Sequence, residues 1–399
     1  MTYVAYGVPS LYEDPSICVA SQDTWTVTVT SEGIVRLWEE RADQLVLANE
    51  IEVSNLKNPI GCVWIEDSDI VVVACKDLAV GIESSGGRIV YEIETNDEAI
   101  SLTSVGDSFA LTFREGMIAL IEGEEGTLLW RNQLRFFSSK SIPVLTASDR
   151  VVVVPNTKSE KDGGTMMGLV LEDGSVLLSR IDRPVCVVLH CPSSRDEFAC
   201  SVSITSQERC GTYSGIVHHV YVAVGCRSGD VYLYTKEFQE EEEEVEKIWS
   251  RQNIFSLKHW YYDSKYVGSV ICLRWSPDTR VLAAGYARRG LVVWSKDGCR
   301  LVRTIPDVRG KESEDQENDY RSDLFRTGVS MLEWGVESQR LIVLTKNRKL
   351  ATVPLFRQVP CSCLGDHHVI APIGTFIIEF VYMTHAQQYE LIKHRYVSE

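Results

Sequence analysis

The stretch CSCLGDHH, residues 361 to 368, gathers Cys361, Cys363, His367 and His368, all of them ligand types that zinc accepts. Thiolate and imidazole donors so close in sequence would suit a tetrahedral metal site. The spacing argues against one: C-x-C followed by an adjacent histidine pair is not a usual tetrahedral pattern, and a turn after a last repeat accounts for the Gly-Asp. His218 and His219, in GIVHHVYVAV, read as the lead into a strand. Neither pair is assigned as a metal, cofactor-binding or catalytic site, and no cofactor is expected.

Other chemistry has no linear signature. The chain contains no H-E-x-x-H, no G-x-x-x-x-G-K-S/T, no G-x-S-x-G and no G-x-G-x-x-G after a strand. Its twelve cysteines are an even number, yet 399 residues is far beyond the small secreted scaffolds that need a disulfide framework. Several lie inside apolar runs, such as Cys62 in IGCVWI, Cys75 in IVVVACK and Cys272 in VICLRW, where a reduced thiol packs as a small hydrophobe. The start, MTYVAYGVPSLYEDPS, lacks a basic n-region and an apolar h-region. The longest nearly uncharged stretch, HVIAPIGTFII, holds Pro and Gly and is short of the roughly 20 apolar residues of a membrane span. A soluble, cytoplasmic, non-catalytic protein is expected.

The formal net charge is −16, and much of it is local. KEFQEEEEEVEK (236–247) carries seven Glu against two Lys, and KESEDQENDYRSD (311–323) six acids against two bases, together nine of the sixteen excess negative charges. Such blocks self-repel and read as solvated loops. An acidic surface gains nothing from counterion release on a phosphate backbone, so nucleic acid is not an expected partner.

The elements that would position any site recur along the chain. An apolar run, a short turn and a second apolar run appear seven times: at 24–38, 69–83, 108–122, 165–181, 220–235, 280–295 and 340–355. Their turns, among them SEG, EDG and RSGD, are rich in residues that tolerate sharp reversal. Most hairpins follow a shorter strand-like segment, such as GCVWI (61–65), AISLTSV (99–105), VCVVLH (185–190) or VICLRW (270–275). Several precede another, such as RIVYEIE (88–94), TLLWRNQL (127–134) or CRLVRTI (299–305).

The unit is thus four short strands, repeated at about 40 to 60 residues, at and above the blade length of a propeller. The excess is assigned to loops: the acidic stretches, 155–164 and 191–215. With 44% hydrophobic and 24% charged residues the chain can bury a large core. The expected fold is all-β: a single seven-bladed β-propeller, WD-repeat-like, over residues 1–359, with acidic inter-strand loops. Residues 360–399 are read as a closing strand or the start of a truncated following domain. The runs VVVA, AVG and LAAG suit inner strands buried between blades. Trp38, Trp64, Trp130, Trp275, Trp294 and Trp334 are assigned to the core, where large apolar area contributes most.

The run GSVICLRWSPDTRVLAAGYARRGLVVWSKDGCRLVRTI, with YVAVGCRSGDVYLYT before it and VSMLEWGVESQRLIVL after it, resembles the N-terminal propeller of the Ric-one family. The matching positions in the fifth hairpin are Gly225, Cys226, Ser228, Gly229, Val231, Tyr234 and Thr235. In the sixth they are Gly268, Val270, Arg274, Trp275, Ser276, Pro277, Asp278, Gly290, Leu291, Trp294 and Ser295, followed by Trp334 and Gly335. The resemblance covers about residues 220 to 345, with an echo in Gly7 and Pro9.

It implies the large subunit of the exchange factor for the Golgi Rab GTPase Rab-six: a scaffold that pairs with a smaller subunit, Rgp-one, at the peripheral Golgi membrane and supports retrograde traffic from endosomes. Members of that family are far longer, with a second propeller and a helical C-terminal region, so the chain is read as a fragment, a truncated product or a short divergent relative. No exchange residues transfer. The alternatives are an adaptor propeller of another complex, which should show an apolar patch on one face or edge, and an enzyme or ligand-binding propeller, which should show a channel lined with shifted acids or bases.

Overall fold

The computed structural model describes residues 10–41, 44–133, 145–154, 164–180, 186–210, 216–239, 249–257, 264–296, 298, 300–303, 327–335, 340–355, 362–363, 368–373, 376–383 and 388–396. After a first strand β1 (Ser10–Glu13), the chain builds four-stranded antiparallel sheets in sequence order. Blade 1 is β2 (Ser16–Gln22), β3 (Trp25–Thr30), β4 (Ile34–Arg41) and β5 (Gln44–Glu52); blade 2 is β6 (Gly61–Trp64), β7 (Ile70–Ala74), β8 (Leu78–Glu83) and β9 (Ile89–Glu94). Blade 3 is β10 (Ala99–Val105), β11 (Ser108–Phe113), β12 (Met117–Glu122) and β13 (Leu128–Gln133); blade 4 is β14 (Leu145–Val154), β15 (Gly164–Leu171), β16 (Val176–Arg180) and β17 (Cys186–His190). Blade 5 is β18 (Ala199–Cys210), β19 (Ile216–Cys226), β20 (Val231–Gln239) and β21 (Ser250–Phe255); blade 6 is β22 (Val270–Trp275), β23 (Val281–Tyr286), β24 (Leu291–Ser295) and β25 (Arg300–Arg303). Blade 7 joins β26 (Val329–Trp334), β27 (Arg340–Thr345) and β28 (Lys349–Pro354) to β1, with Leu11 opposite Ala351. A further sheet holds β29 (Ser362–Cys363), β30 (His368–Ile373), β31 (Phe376–Met383) and β32 (Gln388–Tyr396).

The first strands of successive blades pack against one another and β26 returns to β2, so seven blades close into a ring. Between each pair of neighbours lies one hydrophobic core. Val27, Leu37, Trp64 and Val73 share one between blades 1 and 2; Tyr221, Trp275, Leu282 and Trp294 share one between blades 5 and 6. Val19, Trp38, Ile342 and Leu344 close the circle between blades 7 and 1. A sheet with one uncovered apolar face is unstable alone, and the ring covers every such face.

All seven hairpins fall on the second and third strands of the blades. VVVA, AVG and LAAG therefore belong to middle strands, not to the innermost ones. The physical reason is coverage: a middle strand has a blade against each face and a strand along each edge, which is why every residue of β7, β11, β23 and β27 is buried. An innermost strand keeps one edge on the central channel.

One loop assignment is overturned. Most of the described part of 191–215 is β18, the inner strand of blade 5, and VCVVLH (185–190) contains the outer strand of blade 4. The sequence ACSVSITSQ reads as polar, yet Ser201, Ser203 and Thr205 are buried along with Val202 and Ile204. Ser201 Oγ donates to Val270 O at 2.9 Å, and the Trp275 N–H donates to Ser203 Oγ at 3.3 Å, so these hydroxyls bond to the next blade. A second is overturned in part: of the acidic stretch 236–247, residues 236–239 are not loop but the end of β20, while 240–247 and 311–323 lie outside the described residues.

Two irregularities repeat with the blades. The second residue of the inner strand is an extra, bulged one in six of them: Ile17, Ile100, Thr146, Cys200, Ile271 and Ser330. In five blades the outer strand bulges opposite the same place on the third strand, at Trp38, Ile82, Ile121, Tyr234 and Trp294. The repetition identifies these residues as one structural position even though their types differ.

Candidate protein-interaction edge

The outer strands decide what the ring offers to a partner. On β5, Val46 and Leu47 are exposed; on β9, Ile89 and Val90; on β13, Leu128 and Leu129; on β17, Val187 and Val188. Leu128 is 55% exposed and Val188 60%, values far from those of a core residue. The pairs on β5, β9 and β13 lie in the first half of their strands, opposite the end of the third strand and so toward the face that carries the turns joining third to fourth strands. Val187 and Val188 instead lie opposite Leu178 and Leu177, near the start of β16. The later parts of β5, β9 and β13 are polar, with Glu50 and Glu52, Glu92 and Glu94, and Arg131 and Gln133. An apolar band thus runs along one margin of blades 1 to 3, with a further exposed pair on blade 4 set nearer the opposite face.

The bulges help to create it. On β9 and β13 the bulge lets two consecutive side chains face outward where strict alternation would bury one. The margin is also fixed in place. Tyr91 Oη donates to Gly123 O at 2.8 Å, tying the outer strand of blade 2 to the turn of blade 3, and Ile51 packs against Gly87 between blades 1 and 2. A pre-shaped apolar edge loses little conformational entropy when a partner covers it. The same strands carry unpaired backbone edges, and exposed apolar edges of this kind are interaction sites in native proteins.

The channel is built differently. Arg274 on β22 and Glu333 on β26, adjacent inner strands, pair at 2.8 Å, Nε to Oε1, and Trp334 Nε1 donates to Arg274 O at 3.1 Å. Burial raises the thiols of Cys18, Cys62, Cys226 and Cys272, which leaves them protonated and poor nucleophiles at neutral pH. His190, buried at the end of β17, has its Nδ1 2.9 Å from Tyr234 Oη and its Nε2 2.9 Å from Glu197 O, so both ring nitrogens are engaged inside the protein.

The residues singled out by type fall as follows. Cys361 and His367 lie outside the described residues; Cys363 and His368 lie on adjacent strands β29 and β30. His218 and His219 are on β19, and His219 is half-buried with Nδ1 3.3 Å from Glu237 Oε1 and its ring stacked near Tyr221. Among the described residues no group of three metal-ligating side chains converges. Trp38, Trp64, Trp275, Trp294 and Trp334 are buried between blades, but Trp130 is only half-buried, because it lies on an outer strand with a neighbour on one side alone. An apolar patch is expected of an adaptor, but none of the residues that form this band was singled out from the sequence. Its sequence signal is the doubled aliphatic, IV in RIVYEIE, LL in TLLWRNQL and VV in VCVVLH, where an outer strand should alternate.

No protein-family model matches the sequence, and no curated protein matches it. Among solved structures the chain is similar to the Cps50 (Swd1) β-propeller domain of Myceliophteria thermophila, at 13% identity and a TM-score of 0.60, covering 88% of this chain and all of that one. With 1587 solved chains matching, the likeness establishes a widespread architecture and carries no function with it. The fold is a WD-repeat-like seven-bladed β-propeller.

Proposed function

We propose that the protein is a non-catalytic propeller scaffold whose apolar margin on blades 1 to 3 seats a partner subunit. The observation that carries this is the repetition of exposed aliphatic pairs at one level of three successive outer strands, an arrangement that isolated surface hydrophobics do not produce. The partner is the small Rgp-one-like subunit of a Rab exchange factor, and the client a Rab GTPase of the Rab-six class. Support for this finer assignment comes from the residues of blades 5 to 7 that resemble the Ric-one family. On this reading residues 360–399 open a following domain, and the assembly works at the cytoplasmic face of the Golgi. No helix among the described residues is long and apolar enough to cross a membrane, so the complex would reach the bilayer through its other members.

Exchange needs no covalent chemistry. A factor that binds the nucleotide-free GTPase more tightly than the loaded one lowers nucleotide affinity by linkage. A scaffold meets that requirement by holding subunits in place, which suits a margin without acid–base groups.

The experiment is affinity capture of the tagged chain from its own cells, beside a Leu128→Glu/Leu129→Glu variant. Recovery of the Rab GTPase and the small subunit with the wild type, and their loss with the variant, supports both levels of the proposal. Reproducible recovery of a different complex, lost with the same variant, keeps the docking margin and replaces the exchange factor with another assembly. Identical captures from wild type and variant would overturn the margin as the docking site.

A further inference from the structure

The opposite face, where second strands turn into third strands, carries an uneven charge. The turn of blade 1 holds Glu32, that of blade 4 Glu172 and Asp173, and those of blades 2 and 3 balance Lys76 with Asp77 and Arg114 with Glu115. Lys76 and Arg114 also both approach Glu98, at 2.7 and 3.5 Å. Blades 5 to 7 differ. Their turns present Arg227, then Arg288 and Arg289, then Lys346 and Arg348; the acid among them, Asp230, is buried and accepts from Ser228 Oγ at 2.8 Å. Among the described residues no carboxylate pairs with Arg227, Arg289, Lys346 or Arg348. In a chain of net charge −16 these turns concentrate the opposite sign, bordered at blade 5 by exposed Asp196, whose carbonyl accepts from the Ser228 N–H at 2.8 Å.

The three turns form one continuous surface. Gly229 in the turn of blade 5 lies against Gly268, whose φ is +81°, and a Cβ on Gly268 would come within 2.9 Å of Arg288 Cγ. Beyond it, Gly328, also at φ +81°, is so close to Ala287 that a Cβ there would be 2.5 Å from the Ala287 carbonyl oxygen. Lys346 N then donates to Gly328 O at 3.1 Å. Glycine at 268 and 328 lets neighbouring turns close up, and this carries the cations of blade 5 through blade 6 to blade 7. Two of the guanidinium groups are already ordered: Arg227 lies over the Phe198 ring at 5.5 Å and Arg289 over the Tyr266 ring at 4.1 Å.

We propose that this arc across blades 5 to 7 binds an acidic peptide segment of a partner protein. A narrow chain of carboxylates can follow the three basic turns and stay clear of Glu32, Glu172 and Asp173. An anionic bilayer is flat and would have to meet those acids on the same face, and a nucleic acid duplex would meet both them and the overall negative charge. This inference is independent of the exchange-factor reading.

The test is fluorescence anisotropy of a labelled Asp-Glu-Gly repeat peptide with the full chain, at low and at high salt. Binding that weakens with salt, and falls by roughly tenfold or more in an Arg227→Glu/Lys346→Glu/Arg348→Glu variant, is the expected result. These side chains are exposed, and circular dichroism checks that the variant is folded; the milder Lys346→Ser/Arg348→Ser variant should show a smaller loss in the same direction. A Lys76→Glu/Arg114→Glu variant should bind as the wild type does. The proposal is overturned if the peptide fails to bind at low salt, if the triple variant binds it equally well, or if the control variant loses as much. Capture by phosphatidylserine vesicles without peptide binding would overturn it as well.

Discussion

Asp14 accepts a hydrogen bond from Thr28, Oγ1 to Oδ2 at 2.6 Å, at the point where the chain passes from the outer strand of blade 7 to the inner strand of blade 1. Asp14 is fully buried and also accepts from Ser16 Oγ at 2.8 Å and from the Arg36 guanidinium at 2.5 Å. Thr28 in turn accepts from Trp38 Nε1 at 2.9 Å. The network fixes the crossing that closes the ring. Asp14→Ala leaves the buried Thr28 and Ser16 hydroxyls without this acceptor, while Arg36 keeps Glu50 at 2.7 Å, so it should cost about 2 to 3 kcal/mol. Urea unfolding would check this, and a loss below about 1 kcal/mol would mean that water replaces the carboxylate.

Closure depends on β1 beyond Asp14. Tyr12 reaches across the junction: the Leu45 N–H donates to its hydroxyl at 2.8 Å, and its ring lies 5.7 Å from that of Trp38. Tyr12→Phe removes one hydrogen bond and should cost about 1 kcal/mol, whereas Tyr12→Ala also empties part of the core between blades 7 and 1 and should cost about 3 kcal/mol or more. Thermal melts of the two variants side by side would separate these effects. Equal losses would assign all of Tyr12's contribution to its hydroxyl.

The seven hairpins were legible because both of their strands are apolar and lie on either side of a short polar turn. What surrounds them was less so. Ser201, Ser203 and Thr205 made an inner strand look like a loop, since a hydroxyl buried against the next blade has the same sequence as one in water. The doubled aliphatics at Ile89–Val90 and Leu128–Leu129 look like core until a bulge turns both outward. The basic arc was illegible for another reason: Arg227, Arg289 and Arg348 are far apart in sequence, and only the stacking of blade on blade makes them neighbours. Net charge concealed them further.

Trp275 tests the inter-blade cores. It is buried between blades 5 and 6, 6.0 Å from the Tyr221 ring and packed among Leu273, Leu282 and Trp294. Trp275→Ala should lower stability by about 3 to 5 kcal/mol, in the range for a large aromatic deleted from a core. Chemical denaturation monitored by circular dichroism would measure it. Near-wild-type stability would show that this core is loose enough to collapse around the gap.

The buried thiols make the fold sensitive to alkali. Burial pushes Cys18 and Cys272 up to about 12, from an ordinary value of 9.0, and Cys62 well above that value. The folded state therefore holds these protons more tightly than the unfolded chain does. Their contribution to stability is intact below about pH 9, where both states are protonated, and is lost as pH rises from there toward about 12. Melting temperature should accordingly fall above pH 9, less steeply in a Cys18→Ala/Cys272→Ala variant. Iodoacetamide at pH 8 offers a second readout, because only the thiolate reacts. Exposed Cys191 should label in the folded protein, with Cys18, Cys62 and Cys272 labelling only after denaturant is added. Rapid labelling of Cys18 under native conditions would mean that blades 1 and 2 separate often enough to admit the reagent.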